Sequence, residues 1–484
     1  MAGTDETLGI DDVINGALQP LAEAVAGFIF FTVPVMGADF PLIVAWLVGG
    51  GLFFTVYLGF INVRGFRHAV RVITGRLADP DDPGEISQFQ ALTTAVSGTV
   101  GIGNIAGVAV AISTGGPGAT FWLIAAGVLG MSTKFAECTL GVLYRRTGAD
   151  GSVSGGPMHY LERGLAERGL PGLGRVLGIF YACTMVVGCL GIGNMFQSNQ
   201  ATAMFVDLTG GEASPFAGAT WLVGVALAGL VAVVIIGGIR SIANTTVRLV
   251  PGMALLYVAL ALLVLVLQAD RLPGAVAAIW RGAFAPEGVA GGMLGALVIG
   301  FRRAAFSNEA GLGSAAIAHA TARTPRPVSE GFVGLLEPFI DTVVICTMTA
   351  LVIVTTVYDP ALAAAGVNGI ELTTRAFASV LPWSPLPLAV AAMLFAYSTM
   401  LAWAYYGLKA FTYLAGDGRK QDIGFKTFFC LFVVAGASLD LGALVDLSDA
   451  LVFVVALPNL LGLYVMAPVV KRELAGYRPF REEG

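Results

Sequence analysis

The chain has 484 residues, of which 56% are hydrophobic and only 12% are charged. Ordinary soluble domains carry about 25% charged residues, so this chain has too few polar groups to present a surface to water. Its net charge of −5 argues against binding nucleic acid, and its three histidines show no spacing typical of metal ligands. The composition therefore predicts an all-α integral membrane protein.

Apolar stretches long enough to cross a bilayer recur along the chain. A transmembrane helix needs about 20 mainly apolar residues, and eleven stretches meet this requirement. A weaker amphipathic stretch at residues 13–35 is predicted to lie in the plane of the membrane surface, with a twelfth span as the alternative. The predicted spans are 40–61, 88–112, 118–142, 175–206, 215–237, 250–268, 289–317, 329–357, 385–410, 425–441 and 447–469.

Basic residues are distributed unevenly between alternate loops. One set of loops carries most of the lysines and arginines, whereas the other set has only Arg271, Arg281 and Arg375. Because cytoplasmic loops are enriched in Lys and Arg, the basic loops are predicted to be cytoplasmic. With eleven spans, the N-terminus lies outside and the C-terminus in the cytoplasm of a bacterial plasma (inner) membrane. A twelfth span would move only the N-terminus.

The second predicted span contains a cluster of glycines within the segment Ser97–Asn104, SGTVGIGN. Each glycine in a helix interior costs about 1 kcal/mol relative to alanine, so the cluster predicts a break in this helix. Irregular backbone at membrane depth is tolerated where it lines a cavity, and its free carbonyls and amides can bind cations and carboxylates. Close packing of helices through glycine is the alternative interpretation.

The seventh predicted span carries charge and glycine in the segment Phe301–Ser314. Charged side chains cost about 3 kcal/mol at the centre of a transmembrane helix, so this segment predicts a second break that faces a polar region. We interpret Arg302 and Arg303 as a buried ion-paired strut. Asn308 is predicted to contact substrate or ion, because a neutral amide both donates and accepts hydrogen bonds.

The two breaks lie in the first spans of two five-helix units, spans two to six and spans seven to eleven. The two spans run in opposite directions, which is typical of an inverted repeat with its site between the halves. The predicted organisation is an extracellular tail with the in-plane helix at 1–36, an accessory transmembrane helix at 37–63, repeats at 86–268 and 289–470, and a cytoplasmic tail at 471–484.

Three motifs resemble a known transporter family. They are Gly101–Asn104 (GIGN), Gly155–Tyr160 (GGPMHY) in a cytoplasmic loop, and Phe306–Ser314 (FSNEAGLGS). They are similar to those of the alanine/glycine:cation symporter family, or sodium:alanine symporters, and the similarity runs from about residue 40 to 470. The resemblance implies the fold of the bacterial leucine transporter, with about eleven transmembrane helices, an inverted repeat of five plus five helices and two discontinuous helices.

The resemblance also implies two sodium sites. The first would use the carbonyl of Thr99 and the side chain of Asn104, beside the substrate carboxylate. The second would use carbonyls of the first break with a carbonyl and two hydroxyls of span nine, and oxygen ligands suit a hard cation. As an alternative, the two hydroxyls bond back to a carbonyl one turn earlier. The implied metal-site residues are Ser97, Thr99, Val100, Asn104, Phe395, Ser398 and Thr399.

By the same resemblance, the amides of the first break bind the substrate carboxylate, and span four supplies an aromatic ring and a glutamine. Asn194, Asn199 and Gln200 compete with Gln197 for the polar role, and Trp403 has core packing as its alternative. With Asn308 added, the predicted substrate-binding residues are Thr99, Gly101, Ile102, Gly103, Asn104, Phe196, Gln197, Asn308 and Trp403.

The resemblance, together with the broken helices, implies a monomeric secondary active transporter that imports a small neutral amino acid, alanine, glycine or D-alanine, by symport with sodium. The alternative is a proton-coupled amino-acid permease of the same fold, since Lys134, Glu137, Glu337 and Asp341 are titratable groups within spans. An intramembrane enzyme is not expected, because the chain contains no His-Glu-x-x-His motif and too few histidines for relay chemistry. The predicted partners are the amino acid, co-transported sodium and the lipid bilayer.

Overall fold

The structure, a computed structural model, describes residues 24, 27–35, 38–75, 81–148, 151–285, 292–358, 369–439 and 441–481. These residues are predominantly helical, as the composition predicts, and their strands form two short antiparallel pairs. Strand β1 (Thr32–Val35) pairs with β2 (Ala38–Pro41), with Thr32 opposite Pro41, and β3 (Arg146–Thr147) pairs with β4 (Val153–Ser154).

The helices of the first half lie between residues 42 and 284 and include those on both sides of the first break. They are α1 Leu42–Tyr57, α2 Ile61–Arg64, α3 Phe66–Ile73, α4 Gln88–Thr99, α5 Ala106–Gly115, α6 Gly118–Leu143, α7 Pro157–Glu167, α8 Pro171–Leu190, α9 Phe196–Leu208, α10 Thr220–Ile235, α11 Gly238–Leu267 and α12 Leu272–Phe284. A π-helical segment, Gly191–Met195, joins α8 to α9.

The second half begins with the second discontinuous helix. Its helices are α13 Gly292–Asn308, α14 Ser314–His319, α15 Pro327–Gly334, α16 Leu336–Pro338, α17 Thr347–Thr356, α18 Gly369–Ala378, α19 Pro385–Ala415, α20 Arg419–Gly436, α21 Leu441–Gly476 and α22 Arg478–Arg481. Another π-helical segment, Phe339–Cys346, joins α16 to α17.

Six described helical runs are long and apolar enough to cross a membrane, and the bent pair α4–α5 makes a seventh if it is one span. Helices α1 and α10 are apolar but shorter. Each of the eleven predicted ranges contains helix, while the count of eleven spans and the inverted repeat remain predictions. The six runs are Gly118–Leu143, Pro171–Leu208, Gly238–Leu267, Pro327–Thr356, Pro385–Ala415 and Leu447–Gly476.

The predicted in-plane helix at 13–35 lies for the most part outside the described residues. Of its described residues, Ala24 and residues 27–29 are helical, whereas its last four residues, Thr32–Val35, form strand β1 instead of helix. The physical reason is local, because Thr and Val are β-branched and Pro34 lacks the amide that a helix interior requires.

Helix α6 packs closely against its neighbours through small residues. A Cβ at Gly300 of α13 would lie 2.6 Å from the carbonyl oxygen of Ala119, and a Cβ at Gly118 would lie 2.1 Å from the backbone of Gly282. Such small residues let transmembrane helices approach to backbone contact. As a result, polar side chains of α6 reach the residues around the second break.

A buried group of charges joins α6 to α14, α15 and α16. Lys134 Nζ lies 3.2 Å from Glu337, and the two ring nitrogens of His319 lie 2.5 Å from Glu330 and 2.7 Å from Glu337. Gln88, at the start of α4, donates to Glu330 at 3.0 Å. Two basic side chains thus face two carboxylates in a fully buried cluster, as buried charges require.

Candidate functional site

The first break lies between α4, which ends at Thr99, and α5, which begins at Ala106. Gly101 is extended, with φ −130° and ψ −162°, and Ile102–Asn104 form a single 3₁₀ turn. The helix axes on the two sides differ by 62°. The break predicted from the glycine cluster is confirmed.

The carbonyls freed by this break find donors on other helices. Backbone groups at membrane depth must be satisfied by the protein, and four side chains from α17, α18 and α19 do so here. Thr399 donates to Ser97 O at 3.0 Å, Trp403 to Gly98 O at 3.4 Å, Thr349 to Asn104 O at 2.9 Å and Thr373 to Ile105 O at 3.1 Å.

Two amides of the break donate to side-chain oxygens. Gly101 N donates to Asn104 Oδ1 at 2.8 Å, and Ile102 N donates to Gln197 Oε1 at 3.3 Å. A Cβ at Gly101 would lie 2.7 Å from the hydroxyl oxygen of Thr399, so this position has room only for glycine. The Ile102 amide therefore points towards α9, whereas the Gly101 amide is held by a side chain of the break itself.

The second break separates α13 from α14. Glu309, Gly311 and Gly313 all have positive φ, at 55°, 97° and 75°, and the strain at Glu309 is notable because residues with a Cβ rarely adopt this region. Asn308 Oδ1 accepts from Ala310 N at 2.9 Å, and its amide donates to Thr342 at 3.0 Å. This break was also predicted and is confirmed.

One carboxylate of α6 holds the second break. Glu137 Oε1 accepts from Gly311 N at 2.9 Å, from Gly313 N at 3.0 Å and from Asn459 Nδ2 at 2.8 Å. Asn459, on α21, also donates to Gly311 O at 2.7 Å and contacts the hydroxyl of Tyr160. The freed backbone groups are thus satisfied by side chains that are distant in sequence.

Trp403 joins the two breaks. Its indole nitrogen donates to Glu309 Oε1 at 3.1 Å and also lies 3.4 Å from Gly98 O. The other carboxylate oxygen of Glu309 contacts the Ser314 hydroxyl. The indole ring packs directly against the backbone of the π-helical segment Gly191–Met195, since a Cβ at Gly193 would lie 1.9 Å from the ring. Trp403 is therefore buried between the breaks.

A single buried carboxylate, that of Asp341, lies beside the first break. Asp341 accepts from Asn104 Nδ2 at 2.5 Å, and from the hydroxyls of Ser307 and Thr342 at 2.7 Å each. The residue is fully buried, and among the described residues no Lys, Arg or His nitrogen lies within 4.0 Å of its carboxylate. Asp341 lies in the π-helical segment Phe339–Cys346, a deviation from α-helix that is frequent at functional sites.

A cluster of neutral oxygens lies on the α19 side of the first break. The Thr399 hydroxyl is 3.0 Å from Ser97 O and 2.9 Å from Phe395 O, and the Ser398 hydroxyl is 3.0 Å from Phe395 O. Four residues of the predicted second sodium site therefore meet. Both hydroxyls also make the bond one turn back that was the alternative interpretation.

The amide side chains of the fourth predicted span point in two directions. Gln197 faces the first break, whereas Asn194 donates to Phe429 O at 2.7 Å and Asn199 to Leu439 O at 2.5 Å, both towards α20 and the residues after it. Among the competing amides, Gln197 is thus the one bonded to the break. Phe196 packs edge-on against Phe306, with ring centres 5.2 Å apart.

Three contacts in the structure refine the sequence-based interpretations. Ser307, which was not predicted, reaches the first break, since its hydroxyl lies 3.2 Å from Asn104 Nδ2. Its neighbour Asn308 points in another direction because successive helical residues lie about 100° apart, and its contact with substrate or ion stays a prediction. Arg302 and Arg303 are ion-paired, as interpreted, with Asp449 on α21, but their side chains are only partly buried. Trp403 contacts Glu309 directly, which the sequence did not predict.

Sequence reasoning missed the roles of Asp341, Glu137 and Asn459. Asp341 and Glu137 were noted only as titratable groups within apolar spans. The signal available in the sequence was that a charged side chain is costly at membrane depth and is therefore often functional. Their contacts, however, depend on helices that are distant in sequence. All the predicted site residues are buried, so the structure is closed around the first break.

Comparison with known proteins agrees with this geometry. Residues 27–484 match the sodium:alanine symporter family. The chain is 37% identical over 443 residues to the sodium/alanine symporter AgcS of Methanococcus maripaludis, covering 91% of this chain and 95% of AgcS. It is 34% identical over 441 residues to the amino-acid carrier protein AlsT of Bacillus subtilis, covering 90% of each.

The fold has a solved counterpart. The crystal structure of MhsT in complex with L-phenylalanine matches with a TM-score of 0.56 and 15% identity, covering 80% of this chain and 98% of MhsT. This likeness shows the leucine-transporter-like fold that the motifs implied. The family match and the sequence relatives show that the chain belongs to the sodium:alanine symporter family and is a multi-pass amino-acid transporter, not an enzyme.

Proposed function

We propose that this chain imports a small neutral amino acid in symport with sodium. The observation that carries the proposal is Asp341, a buried carboxylate beside the first break whose described partners within hydrogen-bond distance are neutral donors. An isolated buried carboxylate is costly unless a cation compensates it. A sodium ion, whose chemistry favours oxygen ligands, supplies that charge when it binds with Asp341, Asn104 and the Thr99 carbonyl.

The substrate carboxylate binds at the amides of Gly101, Ile102 and Gly103. Ile102 N already donates to Gln197 Oε1 at 3.3 Å, so a carboxylate oxygen takes the place of the glutamine oxygen when substrate enters. Phe196 and Phe306 close the adjacent space, since a Cβ at Gly103 would lie 3.0 Å from the Phe306 ring. This crowding supports a substrate with a side chain no larger than a methyl group, such as alanine, glycine or D-alanine.

A second sodium binds where Thr399, Ser398 and Phe395 meet the carbonyls of Ser97 and Val100. The cluster consists of neutral oxygens only, which suits a monovalent ion and gives little net charge to a divalent one. The Thr399 hydroxyl, now 3.0 Å from Ser97 O, then directs its oxygen to the ion. This site bridges α4 and α19.

Coupling follows from the adjacency of ion and substrate. Sodium at Asp341 engages Asn104 Oδ1, which now accepts from Gly101 N at 2.8 Å, and thereby frees that amide for the substrate carboxylate, so each ligand raises the affinity of the other. Alternating access then requires that contacts between the broken helices and α19, such as that of Trp403 with Glu309, are broken. We place the eleven helices in an inverted repeat, in a bacterial inner membrane, as a monomer with its C-terminus in the cytoplasm.

Uptake into proteoliposomes tests this function. Labelled alanine is added with an inward sodium gradient, with an inward proton gradient, or with choline and no gradient. The proposal expects accumulation only with sodium, competed by glycine and poorly by glutamine or leucine. Accumulation that ignores sodium and follows the proton gradient would contradict sodium symport.

Proton coupling in the same fold is the second candidate. Glu137 and Glu309 are buried, and within the described part of the chain neither has a basic nitrogen within 4.0 Å. Buried carboxylates without a counter-charge tend to bind a proton. The proton-gradient arm of the uptake experiment decides between the two candidates.

A further inference from the structure

A polar pocket lies at one end of α8 and α19, away from both breaks. Its volume is about 530 Å³, and its walls come from the β3–β4 hairpin, α7, the start of α8 and the end of α19. The basic residues of these loops predict that this end is cytoplasmic. The pocket includes His159, from the GGPMHY motif, to which the transport proposal gives no role.

The lining of this pocket is positively charged. Arg146, Arg175 and Lys409 line it together with Glu162 and Asp417. Of the described carboxylates, none lies within 4.0 Å of Arg146 or Arg175, and Glu162 accepts from the Tyr413 hydroxyl at 3.0 Å. Both arginines are exposed, so their guanidinium groups are available to an anion.

His159 is the buried polar group of the pocket. The residue is 3% exposed, its Nε2 lies 3.0 Å from the Ser154 hydroxyl, and its Nδ1 has no described hydrogen-bond partner. Burial, with the charges of Arg146, Arg163 and Lys409, lowers the pKa of His159 to about 3. A buried nitrogen without a partner is destabilising, and an oxygen ligand would remove that penalty.

We propose that this pocket binds a phosphate-bearing anion, either the headgroup of an acidic phospholipid or free phosphate. Arginine guanidinium groups bind phosphate oxygens with two parallel hydrogen bonds, and Arg146 and Arg175 supply two such groups on separate elements. Basic pockets between transmembrane helices on the cytoplasmic side are suited to acidic headgroups. His159 Nδ1 then donates to a phosphate oxygen from within the pocket.

The protonation state of His159 reports whether an anion occupies the pocket. A nearby negative charge stabilises the imidazolium and raises the pKa of a histidine, typically by about 1–3 units. Without the anion, burial and then the surrounding cations hold the pKa of His159 at about 3. Occupancy should therefore move its titration upwards towards the range between about pH 5 and 8, where unperturbed histidines change charge.

The test uses the full chain with isotope-labelled histidine, in nanodiscs, and follows the titration of His159 by NMR. The chain has three histidines, and His159→Gln identifies the signal. Three conditions are compared: phosphatidylcholine alone, phosphatidylcholine with inorganic phosphate, and phosphatidylglycerol. The double variant Arg146→Gln/Arg175→Gln is measured alongside Arg240→Gln, which removes an exposed arginine outside the pocket.

We expect the titration midpoint of His159 to rise by about one pH unit or more in the presence of the anion, and the double variant to lose this rise while Arg240→Gln keeps it. A rise with phosphatidylglycerol alone identifies a lipid headgroup, and a rise with inorganic phosphate as well identifies a general phosphate site. An unchanged midpoint in all three conditions, or a rise that the double variant retains, would overturn the proposal.

Discussion

Glu137→Ala is the substitution that most directly probes the second break. The Glu137 Oε1 atom accepts from Gly311 N, Gly313 N and Asn459 Nδ2 at 2.9, 3.0 and 2.8 Å. Alanine removes the acceptor and leaves three donors in a region that water does not reach. The break would lose the side chain that satisfies its freed backbone.

The magnitude follows from the number of donors. A buried donor left without a partner costs about 1–3 kcal/mol, so three donors cost on the order of 3–9 kcal/mol if nothing else rearranges. Glu137→Gln keeps an oxygen at the same position, and we expect it to retain most of this stability. As a matched control, Glu371→Ala removes an exposed ion pair with Arg375, which is worth about 0–1 kcal/mol.

The free energy of unfolding is measured in mixed micelles by titration with a denaturing detergent. We expect Glu137→Ala to lose several kcal/mol, Glu137→Gln to lie much closer to wild type, and Glu371→Ala to be nearly unchanged. If Glu137→Ala were as stable as Glu371→Ala, the carboxylate would not hold the break, and the account of the second break would be refuted.

Three further predictions concern the surroundings of the first break. Thr399→Val keeps the side-chain shape but removes the hydroxyl, so the sodium concentration for half-maximal alanine uptake should rise, whereas Thr399→Ser should stay near wild type. A half-maximal sodium concentration in Thr399→Val equal to that of wild type would count against the second sodium site. Gly193→Ala places a Cβ 1.9 Å from Trp403 and should lower the melting temperature, whereas the Cβ of Gly252→Ala meets nothing within 4 Å and should not. Equal melting temperatures for the two variants would contradict the close packing of Trp403 on Gly193. Phe306→Ala should allow leucine to compete with labelled alanine, and competition unchanged from wild type would argue against the aromatic wall.

Local composition was sufficient to locate both breaks. The glycines of Ser97–Asn104 weaken a helix wherever they occur, and the structure breaks at Val100–Asn104. In Phe301–Ser314, the glycines and charges likewise marked the end of α13 at Asn308. Both breaks depend on residues that are adjacent in sequence, so one amino-acid sequence is enough to predict them.

The partners of the breaks could not be predicted in the same way. Asp449 pairs with Arg302 and Arg303 across more than 140 residues, and Asp341 meets Asn104 across 237 residues. Which of two neighbouring residues faces a site also depends on helix rotation, and this placed Ser307 at the first break. Such contacts follow from how the helices pack, which periodicity alone does not specify.

The central claim is that the Asp341 carboxylate holds the coupling sodium. Its most direct test is the sodium dependence of alanine uptake in proteoliposomes for wild type, Asp341→Asn and Asp422→Asn, the last removing a carboxylate from a partly exposed pair with Lys426. We predict that the half-activating sodium concentration rises at least about tenfold in Asp341→Asn, equivalent to about 1.4 kcal/mol, and stays near wild type in Asp422→Asn. A sodium dependence in Asp341→Asn equal to that of wild type would contradict the claim.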